Sequence, residues 1–265
     1  MPGLRVTEDA SAGAWLAPRL HGHFGAVTLS VPSGYAAYAR ICHPVTDRDG
    51  RSASWSQVAA ATGRRAHALM QWHAVVGSPD SLNFTGSLWP GGDPERGNLA
   101  PVELALLCEQ LATHTELAEC CFFGLWIGWG WVEQGSVRLS AGSASRAGVG
   151  RVATTGSGEP EPTFSAEELQ RPRLKLPGRE YLMLSGPLSA ATQLGDAAGF
   201  WPQSPNLIWP PDRTWCVASE IDFDSTLVGG TPELIQAILD APGLDSWRVG
   251  PDDSLAYDAD RINLV

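Results

Sequence analysis

The run CCFFGLWIGWGWVE, residues 120–133, constrains the fold more than any other stretch. Its odd positions, Phe123, Leu125, Ile127, Trp129 and Trp131, are all large, while Gly124, Gly128 and Gly130 fall on even ones. A two-residue period is that of a β-strand, with a bulky face that must be covered and a glycine-lined face open to close approach. The segment just before it, PVELALLCEQLATHT, repeats Leu104, Leu107, Cys108 and Leu111 at helical spacing and predicts a helix ready to supply that cover.

Other elements follow from local chemistry. FGAVTLSV, Phe24 to Val31, alternates Val27, Leu29 and Val31 with Thr28 and Ser30 and predicts a strand, paired across PSGY with AYARICH in a hairpin. Ser54, Gln57 and Gly63 bracket WSQVAAAT as a capping box and a C-terminal stop. RLKL, the turn PGR and EYLMLSG predict a second hairpin, and a short helix is expected near 187–194. FWPQSPNLIWPPDR carries too many prolines for a central strand and is expected on the surface. TWCVASEIDFD predicts a strand over 214–224, broken by Gly229 and Gly230, after which Thr231 and Pro232 start a helix over 232–241.

Helices intersperse with hairpins, so the expected class is α+β, with a mixed or mainly antiparallel sheet and a few short helices. The stretch 135–163 is rich in Gly, Ser and Pro without apolar period and predicts a flexible segment. It divides a first lobe, 1–134, from a second, 164–265, and the two lobes are either separate or parts of one shared domain.

Composition narrows function. With 43% hydrophobic and 18% charged residues the chain can bury a sizeable core. A formal charge of −11 repels a phosphate backbone, so no nucleic-acid partner is expected. No apolar run is long enough to span a bilayer, and the N-terminal residues lack a signal-like core, which predicts no membrane partner and a cytoplasmic location. Five cysteines form no metal or disulfide spacing. No phosphate-binding loop, nucleophile elbow or zinc signature is present; Ser219 and the neighbours Cys42 and His43 lack a flanking pattern, and His21 and His23 would need further ligands.

Two candidate sites remain. On a strand, Glu220, Asp222 and Asp224 would project from one face at intervals of about 6.5–7 Å and could share Mg²⁺ or Mn²⁺ for hydrolysis of a phosphate-type substrate. The competing explanation is the solvated face of an antiparallel strand. Asp and Glu are poor strand formers, so three in five residues call for a metal, an arginine neighbour or an edge position. The second candidate is aromatic: 11 tryptophans are present, and Trp126, Trp129 and Trp209 suggest a stacking surface for a small ligand or a protein, unless they are core. The leading expectation is a binding or interaction protein acting through an acidic, Trp-bordered surface and needing no cofactor.

The strings YARICHP, MQWHAVVG, CFFGLWIGWGW, PGREYLMLSGPL, SPNLIWPPDRTWCVASEIDFDSTLVGG and DRIN resemble those of a family of bacterial proteins from GC-rich genomes to which no activity is assigned. The resemblance implies one bacterial cytoplasmic protein with a variable internal loop, and carries no cofactor or catalytic residue.

Overall fold

A computed structural model describes residues 3–134, 163–194 and 202–264. In chain order the elements are β1 (Arg5–Val6), α1 (Val27–Ser30), β2 (Ala37–Cys42), β3 (Val45–Thr46), β4 (Ser52–Ala53), α2 (Trp55–Thr62), α3 (Trp72–Val75), α4 (Pro101–Ala112), β5 (Cys121–Trp126) and α5 (Gly130–Gln134). There follow α6 (Ala166–Leu169), β6 (Leu174–Leu176), β7 (Arg179–Gly186), β8 (Leu207–Trp209), β9 (Cys216–Ala218), β10 (Ser225–Gly230), α7 (Pro232–Asp240) and β11 (Ser246–Val249). The fold is α+β.

Among the described residues nine strands form one sheet in the order β1-β7-β5-β8-β9-β10-β2-β11, with β6 beside β1 on the outer edge of β7. The pairings within it are antiparallel. Strands from before and after residues 135–162 therefore share one sheet, and Trp131 stacks on Phe164 at 6.2 Å between ring centroids. The expected flexible segment lies, but for its last residue, outside the described residues.

Both faces of the sheet are buried, so side chains alternate between two cores. Phe123 and Leu125, Leu182 and Leu184, Ile208, Val217 and Val228 meet α4 and α7 on one face. Tyr181 and Met183, Leu207 and Trp209, Cys216 and Leu227 meet Trp15, Leu16, Val27 and Val31 on the other. A third, smaller core holds Trp55 and Trp72 under α2 and α3. No described helix is long and apolar enough to cross a membrane.

Several local expectations hold in detail. Ser54 and Gln57 make both hydrogen bonds of a capping box, and Gly63 ends α2 in the left-handed region at φ 70°. Leu104, Leu107, Cys108 and Leu111 are the buried residues of α4, and Thr231 caps α7 by accepting from the Leu234 amide.

Four expectations fail for physical reasons. Val27–Ser30 is a helix, not a strand: Val27 and Val31 are buried one turn apart, a spacing that fits either period, and buried Thr28 breaks the alternation. The bulky run after 120 is a strand only to Trp126, beyond which the chain turns into α5. Leu207–Trp209 is a fully buried central strand, because the prolines bracket its three residues instead of interrupting them. The strand over 214–224 does not exist as one piece. It is β9, a turn closed by the Phe223 amide on the Glu220 carbonyl (3.0 Å), and then β10, which contains Gly229 and Gly230. Gly229 makes room for the ring of Tyr35, whose nearest atom would lie 2.5 Å from an added Cβ.

Candidate functional site

The loop Pro177–Gly178 joins β6 to β7 with Gly178 at φ 73°, the proline–glycine pairing that suits a tight turn, and presents Arg179 as the first residue of β7. The turn between β9 and β10 lies beside it. Arg179 Nη2 donates to Glu220 Oε1 at 3.0 Å and to Asp222 Oδ2 at 2.6 Å. Its guanidinium carbon stands 5.8 Å from the centroid of the Trp126 ring. Trp126 in turn meets Trp129 edge to face at 5.5 Å. Asn206 fixes this pair: its Oδ1 accepts from the Trp126 amide at 2.9 Å and from Trp129 Nε1 at 3.0 Å, while its Nδ2 donates to the Ser219 carbonyl.

The result is a guanidinium seated on an indole and held by two carboxylates, whose combined charge with Arg179 is negative. Burial pushes the Glu220 carboxyl up from its ordinary value, against the pull of Arg179. Asp222 is 51% exposed and keeps acceptor capacity toward solvent. Under this seat a cleft of about 30 Å³ opens between Leu176, Arg179, Tyr181, Leu207 and Glu220, room for about two waters or one small functional group.

The sequence candidates are thus sorted differently from the expectation. Trp126 and Trp129 join Glu220 and Asp222. Trp209 does not: it is 1% exposed, stacked on Phe122 at 5.9 Å and edge-on to Trp15 at 6.3 Å, a core residue. Asp224 also leaves the group. With the strand interrupted by the turn, its carboxylate faces Arg40 Nη2 at 3.6 Å, and burial pushes it up while Arg40 pulls it down. Among the described residues no group of three or more His, Cys, Asp or Glu is placed to hold a metal ion. The compensation that the three acids require is supplied by two arginines from other strands, Arg179 and Arg40.

Arg40 was not singled out in the sequence. It is fully buried, with Nε on Ser225 Oγ (3.1 Å), Nη1 on the carbonyls of Ala68 (3.1 Å) and Met70 (2.7 Å), and its guanidinium 5.2 Å from the Trp55 ring. His43, which has no flanking pattern in the sequence, centres a second buried network. Its Nδ1 lies 2.6 Å from the Glu95 carbonyl, which can only accept, so Nδ1 carries the proton. Nε2 then accepts from Thr226 Oγ1 at 2.9 Å, and Thr226 accepts from Ser219 Oγ at 2.7 Å. Burial brings the imidazole down to about 4, so it is neutral. Ser219 and His43 are 2% and 0% exposed and the chain of donors ends on a backbone carbonyl, so this network ties the residues that follow β2 and β9 to β10 without meeting solvent. A histidine three residues from a strand centre gives no spacing signal, since its partners come from 52 and 183 residues away.

Comparison with protein-family models, with curated proteins and with solved structures found no match. The functional reading therefore rests on the site itself.

Proposed function

We propose that this chain is a binding protein without catalysis, located in the cytoplasm, that recognises a cationic group of a partner through the acidic surface bordered by Trp126. The observation that carries the reading is the seat of Arg179, in which one indole face and the carboxylates of Glu220 and Asp222 converge on a guanidinium. An arrangement complementary to an internal guanidinium is complementary to an external one, and cation–π contact with an indole adds to the charge-assisted hydrogen bonds. Asp222, half exposed, is the group a partner's arginine or lysine reaches first. The charge of −11 favours encounter with a basic face.

Calorimetric titration with an arginine-rich peptide tests this. Saturable binding at low salt, weakened by added salt and by Asp222→Asn, is expected. No binding at low salt to the folded protein overturns it.

A further inference from the structure

A second surface feature has the opposite sign. Arg19 and Arg213 both stand over the indole of Trp15, with guanidinium carbons 5.5 and 5.2 Å from the ring centroid. Both arginines are exposed, while Trp15 is buried beneath them. Among the described residues neither makes an ion pair, although acids outnumber bases 29 to 18 in the chain. The nearest carboxylate in sequence is engaged elsewhere: Asp212 Oδ1 accepts from the Thr214 amide and hydroxyl, and Oδ2 accepts from Thr115 Oγ1. Both cations also act on the Tyr35 phenol, which places the three groups together.

The placement of Arg213 is imposed by its surroundings. Its φ of 57° is left-handed, a conformation disfavoured for a side chain of this size. It is held there by its amide on the Pro210 carbonyl (2.9 Å) and by Tyr35 Oη, which donates to the Arg213 carbonyl at 3.1 Å. Covering an indole needs neither two charges nor a disfavoured backbone; apolar side chains would do it.

We propose that Arg19 and Arg213, on the platform of Trp15, form a binding site for a phosphate-bearing anion. Two guanidiniums without an ion pair among the described residues match the two negative charges of a phosphate or diphosphate group, whereas a single carboxylate would neutralise one of them. Trp15 limits the motion of both side chains and so lowers the ordering cost of closing on the ligand. The site is independent of the seat around Arg179, since none of its residues is shared.

The test follows the arginine Nε–H signals of ¹⁵N-labelled protein by NMR during titration with inorganic phosphate and, separately, pyrophosphate. Acetate and chloride at matched ionic strength are the controls. Saturable shifts of the Arg19 and Arg213 signals are expected with one of the two phosphates, the preferred probe reporting whether one group or two are bridged. Arg19→Gln and Arg213→Gln should each weaken binding about tenfold, the worth of one charge-assisted hydrogen bond, with the thermal midpoint little changed. Because Arg19 lies outside the strained turn, its variant decides the matter if Arg213→Gln disturbs the fold. Shifts that fail to saturate, that acetate reproduces, or that both variants leave intact overturn the proposal.

Discussion

Acidification should destabilise this protein through His43, by an amount the structure sets. The imidazole is fully buried, and burial, with a smaller push from Arg40, outweighs the upward pull of its hydrogen bond to the Glu95 carbonyl and brings it to about 4. In the unfolded chain the same group titrates near about 6.5. A depressed histidine stabilises the fold fully above the unfolded value and loses that contribution as pH falls toward the folded one. Between pH 7 and pH 5 the unfolded state goes from about a quarter protonated to almost fully protonated while the folded state stays nearly neutral, a loss of about 2 kcal/mol. Urea unfolding at both pH values measures it, and His43→Gln, which cannot titrate, should show a pH dependence smaller by that amount. The imidazole C2 proton followed by NMR should titrate far below the ordinary histidine midpoint. A midpoint near about 6.5, or equal pH slopes in the wild type and the variant, would refute the burial argument.

Three further outcomes are expected. Gly97 has φ 68°, and a Cβ there would lie 2.7 Å from Ile221 Cα in the turn that carries Glu220 and Asp222, so Gly97→Ala should lower stability by about 2–4 kcal/mol in thermal unfolding. Arg40→Ala would leave the partly buried Asp224 without its ion-pair partner and strand Ser225 and two carbonyls in the interior, costing about 3–5 kcal/mol by urea denaturation. Ser54→Ala removes one half of the capping box of α2 and should cost about 1 kcal/mol, with little effect on binding at Trp126.

Helices α2, α4 and α7 and the β6–β7 hairpin were legible in the sequence because their signals are local. Ser54 and Gly63 mark both ends of α2 within ten residues, and the apolar spacing of α4 is unambiguous. What could not be read depends on distant partners. Leu207–Trp209 becomes a central strand only because β5 and β9 flank it, which no count of neighbouring prolines reveals. Glu220, Asp222 and Asp224 share a period of two, yet a turn at 220–223 sends two of them to Arg179 and one to Arg40. The signal was present as a requirement, three poor strand formers in need of compensation, but the arginines that answer it lie 41 and more residues away. The Trp surplus divided in the same way: Trp126 reached a surface seat while Trp209 filled the core.

The account stands or falls on whether Trp126, Glu220 and Asp222 receive a cation from outside the chain. The most direct measurement is the indole N–H signal of Trp126 in ¹⁵N-labelled protein during titration with argininamide at low salt. The account predicts a saturable shift of Trp126, with a smaller one at Trp129, both reduced by Asp222→Asn. An unmoved Trp126 signal in folded protein, or shifts confined to other tryptophans, would contradict it.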